Sequence, residues 1–132
     1  MYPTRSQAEA ILAEAEKLNP GKWSAHSRVA AQCAEKIAAA CTGPDSLNPD
    51  KAYVLGLLHD IGRRFGVSQF GHIADGYRFM LQSGYDEAAR ICLTHSFPLQ
   101  DIHSYIGQYD VPDAVIAELD QRLTDLHYDD YD

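Results

Sequence analysis

The sequence predicts an all-α protein, a compact bundle of about six helices. Several segments carry apolar residues at three- and four-residue steps, the spacing that places side chains on one face of a helix. No segment alternates apolar and polar residues as a half-buried strand does, and no Asn-Gly or Asp-Gly hairpin signal occurs. Breaks rich in Gly, Pro and Asn separate the segments. A chain of 132 residues is long enough for one domain with a core of its own.

The first helix is expected over residues 4–18. Thr4 can cap it with Gln7 three residues further on, as in a capping box, and Ser6 with Glu9 offers the same pairing. Apolar residues at helical spacing follow, and an Asn-Pro-Gly sequence ends the helix.

The second helix is expected over residues 23–41, followed by a turn over 42–47. One face of this helix carries mostly apolar residues at three- and four-residue steps. They are His26, Val29 or Ala30, Cys33, Ile37 and Ala40. We therefore expect His26 to point in the same direction as the buried residues.

The three cysteines, Cys33, Cys41 and Cys92, are odd in number and lack the spacing of a metal-binding motif. We expect them to be small buried residues of a protein in a reducing compartment. The N-terminus has no apolar signal core, and no apolar run reaches the length of a membrane-spanning helix. The expected location is the cytoplasm.

The third helix is expected to start after Asn48, a good N-cap, with Pro49 at its first position. It is apolar on most sides, which predicts a central rather than a peripheral helix. Gly62 is expected to end it, close to the adjacent pair His59 and Asp60.

Three further helices are expected over residues 72–82, 86–95 and 113–123. A loop over residues 63–70 precedes the first of them, and residues 100–109 hold a short helical turn. The expected cap of the 86–95 helix is Asp86. Four aromatic side chains are expected to pack in the interior rather than to stack on a substrate, namely Trp23, Tyr53, Tyr77 and Phe79.

Residues 124–132 form an acidic and aromatic tail. It is expected to be a connector toward another helix, with the carboxylates of Asp129, Asp130 and Asp132 in solvent. The domain organisation predicted is therefore an N-terminal helix over 1–20, a core over 23–123 and this tail.

The net charge of the chain is −8. Nucleic acids and anionic membranes both require a basic surface, so neither is expected as a partner. A small phosphorylated substrate is compatible with this charge, because local groups and metal ions decide its binding. The composition allows a monomer or a homodimer.

The most informative stretch is the apolar run that ends in His59 and Asp60. Burying such a pair costs free energy unless another group compensates the charge. A divalent ion would do so, because imidazole nitrogen and carboxylate oxygen are both good ligands for transition metals.

Residues 57–63, Leu-Leu-His-Asp-Ile-Gly-Arg, resemble the L-L-H-D-I-G-K signature of the HD superfamily of metal-dependent phosphohydrolases, with Arg in place of Lys. His72 begins a segment that resembles the H-x-x-x-G motif of members with extra histidines, and His95 resembles their next histidine. The order H…HD…H…H is similar to that of the subgroup with two metals, often iron. This subgroup includes HD-GYP-type phosphodiesterases and symmetrical diadenosine tetraphosphate hydrolases. The resemblance covers about residues 23–131.

The resemblance implies an all-helical HD domain and a set of metal ligands. The implied ligands are His26, His59, Asp60, His72 and His95. Asp60, the catalytic residue, would bridge two divalent ions, and metal-bound hydroxide would attack a phosphate ester. Iron is the first expectation for the metal, with manganese, zinc and nickel as alternatives. Arg63, or Arg64 beside it, would neutralise the substrate phosphate. His103 and His127 are expected at the surface.

The sequence departs from the family pattern at one point, since the motif ends with a further Asp ligand and no residue here is assigned to it. A truncated copy or a degenerate site is expected, and Asp101 or a partner chain remains the alternative. Three hypotheses follow. The first is a phosphohydrolase of a nucleotide or other small phosphate ester. The second is a non-catalytic HD module that binds a nucleotide or a protein, and the third is a helical interaction domain without metal.

Overall fold

A computed structural model describes all 132 residues and contains six α-helices and no β-strand. The α-helices are α1 (Arg5–Leu18), α2 (Lys22–Ala40), α3 (Pro49–Leu58), α4 (Gly71–Gln82), α5 (Asp86–Thr94) and α6 (Asp113–Asp125). Short 3₁₀-helices lie at Gly43–Asp45, Ile61–Phe65 and Ile102–Ser104. The predicted all-α class is confirmed. None of the helices has both the length and the apolar composition needed to cross a membrane.

Two helix starts have the caps that the sequence predicts. Thr4 Oγ1 accepts a hydrogen bond from the backbone N–H of Gln7 at 3.3 Å, and the Gln7 side chain accepts one from Thr4 N at 2.8 Å. Asn48 Oδ1 accepts bonds from the N–H groups of Asp50 and Lys51 at the start of α3. These side chains satisfy donors that have no partner within the helix.

The buried face of α2 is not the predicted one. The buried residues are Ser24, Ser27, Ala31 and Ala38. The apolar residues of the predicted face lie outside, with Val29 59% exposed and Ile37 65% exposed. His26 shares this outer position, because 64% of its side chain is exposed. The expected inward orientation of His26 among apolar residues was therefore wrong.

The close approach of α2 to α3 explains the difference. A Cβ atom added to Gly56 of α3 would lie 3.0 Å from the Cα atom of Ala31. Only small side chains fit between two helices at this distance, so serine and alanine form the interface and the larger Val29 and Ile37 do not. Cys33 is also on the outer face, so the prediction of three buried cysteines holds for Cys92 alone, with Cys41 partly exposed.

The apolar interior consists of two clusters. The larger one joins α1, α3 and α5 and includes Leu12, Leu57, Leu58 and Ile61. The smaller one joins α4, α5 and α6 and includes Phe70, Phe97, Leu119 and Leu123. The aromatic side chains predicted to pack do so: Tyr53 is buried in the larger cluster, and Trp23, Tyr77 and Phe79 pack against it.

The end of α3 lies earlier than predicted. The helix ends at Leu58, and a 3₁₀-helix over Ile61–Phe65 replaces most of the expected extension and loop. Gly62 packs directly on α4, where an added Cβ atom would lie 1.9 Å from the carbonyl oxygen of His72 and 2.5 Å from the nitrogen of Gly76. The glycine therefore permits contact between two segments rather than ending a helix.

Two acidic side chains differ from prediction. Asp86 is the first residue of α5, and the cap of this helix is Tyr85. The carboxylate of Asp86 pairs with the amino group of Met1.

Asp132, in the C-terminal tail, was expected in solvent, but only 1% of its side chain is exposed because it pairs with Arg90. The tail is further fixed by Tyr128, whose hydroxyl donates to the carbonyl of Phe97 at 2.7 Å. Asp129 and Asp130 are exposed, as predicted.

Replacement of Gly62 by alanine should strongly destabilise the protein. The added methyl group would overlap the His72 carbonyl, so α4 and the Ile61–Phe65 segment would have to separate. We expect Gly62→Ala to lower the free energy of unfolding by more than about 3 kcal/mol, above the usual cost of an overpacked core. Gly21→Ala is the matched control, since its methyl group would meet only the side chain of Trp23. Denaturant titration measures the free energy of unfolding of both variants. Equal values for Gly62→Ala and Gly21→Ala would contradict the close contact between Gly62 and α4.

Candidate metal centre

The five side chains predicted as metal ligands lie together at one place in the bundle. They are His26, His59, Asp60, His72 and His95. Four helices contribute to this cluster. His26 lies in the first half of α2, while His59 and Asp60 directly follow α3. His72 is the second residue of α4, and His95 directly follows α5. The packing of α2, α4 and α5 around the end of α3 therefore builds the cluster.

Asp60 is the centre of the cluster, and each of its carboxylate oxygens faces a different pair of histidines. Oδ1 lies 3.2 Å from His72 Nε2 and 3.5 Å from His95 Nε2. Oδ2 lies 3.6 Å from His59 Nε2 and 4.0 Å from His26 Nε2. We call His26, His59 and Asp60 the first metal group, and Asp60, His72 and His95 the second metal group. Within each group the ligand atoms lie within 4.8 Å of one another.

The three buried or half-buried imidazoles are oriented by backbone carbonyls. Nδ1 of His59 lies 2.7 Å from the carbonyl oxygen of Gly56, and Nδ1 of His95 lies 3.0 Å from that of Cys92. His72 makes the same kind of contact to Gln69. A neutral imidazole that donates from Nδ1 keeps its lone pair on Nε2, the atom that faces Asp60. This second hydrogen bond is typical of metal-binding histidines.

Asp60 is held in its ionised form. Burial of its side chain, which is 7% exposed, favours the neutral acid. The proximity of His72, His59, His95 and Arg63 outweighs burial and holds the pKa of Asp60 below its ordinary value. A carboxylate that stays charged in the interior is a good ligand for a cation.

Two of the histidines around Asp60, His59 and His95, favour their neutral forms. Burial, followed by the proximity of His59, lowers the pKa of His95 to about 4. Burial also lowers the pKa of His59, against the opposing effect of Asp60. Neutral imidazoles carry the lone pair that a metal requires, so the cluster is ready to bind a cation at neutral pH.

The donor set fits divalent transition-metal ions. Imidazole nitrogen with carboxylate oxygen suits iron, manganese, zinc and nickel, and a carboxylate can bridge two ions through its two oxygens. Neither group contains a carboxylate other than Asp60. Asp101, the alternative considered for the missing acidic ligand, is not in the cluster, since it caps the Ile102–Ser104 segment through the N–H of His103 at 2.9 Å.

The two arginines after Gly62 have different environments. Arg63 Nε lies 3.1 Å from Asp60 Oδ2, so this partly exposed side chain reaches the centre. Arg64 turns away, with its guanidinium 4.0 Å from the centroid of the Phe79 ring and 3.3 Å from Glu14. The hypothesis that Arg64 contacts substrate phosphate was therefore wrong, because the cation is stacked on an aromatic ring and 9% exposed. His103 and His127 lie at the surface, as predicted.

One residue near the centre was missed in the sequence. The carboxylate of Asp110 accepts hydrogen bonds from the N–H groups of Gln69 and Gly71, next to His72. The sequence predicted the start of this helix at His72, whereas α4 begins at Gly71, after Phe70, which has no capping side chain. No local signal in the sequence pointed to Asp110, because it is remote in the chain from the helix that it caps.

A comparison with models of protein families matched residues 23–124 to the HD domain. The match includes all five side chains of the cluster and Arg63. No curated protein and no solved structure matched the chain.

Acidification should destabilise the metal-free protein between pH 7 and pH 5. Folding lowers the pKa of His95 from 6.5 to about 4, so the unfolded chain binds more protons than the folded chain in this range. The free energy of unfolding therefore decreases as the pH is lowered. The expected contribution of His95 is on the order of 2 kcal/mol. Denaturant titration of EDTA-treated protein at both pH values measures the effect.

His95→Gln should make this pH dependence smaller, whereas His103→Gln, at an exposed position, should leave it as in the parent protein. The same pH dependence in the His95→Gln variant would contradict the assignment of the effect to His95.

Proposed function

Because the chain belongs to the HD domain family, whose members are generally metal-dependent phosphohydrolases, we propose that it hydrolyses a nucleotide or another small phosphate ester at the His/Asp cluster. The match over residues 23–124 covers most of the chain. HD domains bind divalent metals, and the cluster provides the corresponding ligands.

One observation carries the proposal. A single carboxylate, Asp60, faces two pairs of imidazole nitrogens through its two oxygens. Ordinary hydrogen-bond donors would satisfy an aspartate with a purely structural role, whereas four imidazoles turn their Nε2 atoms toward Asp60. The arrangement supports two ions that share Asp60.

The protein groups have separate tasks in the proposed reaction. Bound divalent ions would supply Lewis acidity toward the phosphoryl oxygen and lower the pKa of a water molecule. Asp60 and the histidines position these ions, because their orientations are fixed by burial and by backbone carbonyls. Arg63, whose Nε lies 3.1 Å from Asp60 Oδ2, would bind a phosphate oxygen. Iron is the metal we propose first.

The proposed substrate is small. With a net charge of −8, the protein as a whole repels nucleic acid and anionic membrane surfaces. Arg63 and the bound cations would provide positive charge at the centre itself. We propose a cytoplasmic enzyme acting on a free nucleotide or related ester, as a monomer or a homodimer.

A second candidate function is supported by a specific observation. The first metal group has three protein ligands, one of which is the exposed His26, and no second carboxylate. Such a group would hold its ion less firmly than one with an additional anionic ligand. A non-catalytic HD module that binds a nucleotide or a protein partner is therefore the alternative.

Metal analysis and turnover separate the two functions. After anaerobic loading with iron or manganese, the parent protein should hold about two ions per chain and hydrolyse bis(4-nitrophenyl) phosphate or nucleoside phosphates. Asp60→Asn should lose both ions and all turnover, because its amide is not an anionic bridge. Asp101→Asn is the matched control and should keep the two ions and the turnover of the parent protein. Metal binding without turnover would favour the binding module, and absence of metal from the loaded parent would contradict the hydrolase and leave the binding module.

Replacement of Arg63 should weaken substrate binding. Arg63→Ala removes the cation next to Asp60 but no metal ligand, so KM should rise by about tenfold while metal content stays unchanged. Arg122→Ala, which removes an exposed cation on α6, is the matched control. Steady-state kinetics at fixed metal concentration measures the change, and an unchanged KM would rule out phosphate binding by Arg63.

A further inference from the structure

The start of α4 is held by a distant segment of the chain. Phe70 stands at the cap position, so no side chain there accepts the first N–H groups of the helix. The acceptors come instead from residues 108–110, in the connection between α5 and α6. This matters for the metal centre because His72 is the second residue of α4.

Three consecutive backbone N–H groups are bound by this segment. Gln69 N donates to Asp110 Oδ2 at 2.7 Å, and Gly71 N donates to Asp110 Oδ1 at 2.8 Å. Between them, Phe70 N donates to the carbonyl of Gln108 at 3.3 Å. A fourth hydrogen bond runs in the opposite direction: Gln108 N donates to the side-chain oxygen of Gln69 at 2.8 Å.

The peptide group between Gln69 and Phe70 also orients His72. Its carbonyl oxygen is the partner of His72 Nδ1. With the proton on Nδ1, the lone pair of His72 lies on Nε2, which is 3.2 Å from Asp60 Oδ1. The two neighbouring peptide groups are the ones that Asp110 binds, so the carbonyl is fixed from both sides.

We infer that Asp110 is a positioning residue for the second metal group: it fixes the Gln69–Gly71 backbone, and through the Gln69 carbonyl it sets the tautomer and direction of His72. The inference rests on the proposed function in one respect, namely that His72 binds a metal ion. Asp110 itself touches neither substrate nor metal.

The charge of Asp110 suits this role. The hydrogen bond from Gln69 N, opposed by slight burial and supported by the bond from Gly71 N, holds the pKa of Asp110 below its ordinary value. An anion at the N-terminus of a helix is also favoured by the helix dipole. Asp110 is therefore a carboxylate at neutral pH, and both of its oxygens act as acceptors.

The test compares Asp110→Ala with Asp101→Ala in the full chain. Asp101 has the same charge and also accepts a backbone N–H bond, that of His103, but it does not lie next to a metal group. Titration with Mn²⁺ measures the affinity of each metal group. Nitrogen NMR of the His72 imidazole in metal-free protein measures the share of the tautomer with the proton on Nδ1. Asp110→Asn, which keeps one acceptor oxygen, replaces Asp110→Ala if the latter does not fold.

We expect Asp110→Ala to weaken Mn²⁺ binding at the second metal group by about tenfold or more, and to leave the first metal group unchanged. His72 should lose part of its Nδ1–H tautomer, while Asp101→Ala should match the parent in both measurements. Parent affinity together with the parent tautomer in Asp110→Ala would overturn the inference. If the parent takes up no second ion, the two-ion function fails, and retention of the Nδ1–H tautomer in Asp110→Ala still overturns the role of Asp110 separately.

Discussion

The buried carboxylate of Asp60 is the group on which the arrangement of this protein depends. It stays ionised although burial disfavours the charge, and the groups that surround it come from α2, α4, α5 and the residues after α3. Four imidazoles and Arg63 face its two oxygens. Removing them would leave an unpaired charge in the interior, which costs several kcal/mol. The carboxylate at which the helices converge is also the one that two cations can share.

Close contacts at small residues bring these groups within reach of one another. Gly56 lets α3 approach α2 at Ala31, and Gly62 lets the Ile61–Phe65 segment lie on α4. A Cβ atom on Gly76 would lie 3.2 Å from Cys92, so α4 and α5 are similarly close. Asp110 adds a polar contact, because it fixes the backbone that precedes His72. Close packing thus sets the distances between the segments that carry the ligands, and backbone hydrogen bonds set the directions of the imidazole rings.

The sequence predicted the helical class, the capped starts of α1 and α3, and the cluster of one aspartate with four histidines. The first two features follow from local signals, and the cluster follows from the resemblance of residues 57–63 and of the order of histidines to the HD superfamily. It did not predict the buried face of α2, because the choice of Ser27 and Ala31 over Val29 and Ile37 depends on the distance to α3. The orientation of Arg64 and the contacts of Asp110 depend on partners that are remote in sequence, so periodicity could not reveal them.

The most direct measurement is a crystal structure of the metal-loaded protein with anomalous diffraction data at the absorption edge of the metal. The account predicts two ions that share Asp60, one bound by His26 and His59 and the other by His72 and His95. A loaded protein with no anomalous peak at Asp60, or with its ions bound by other residues, would contradict the account.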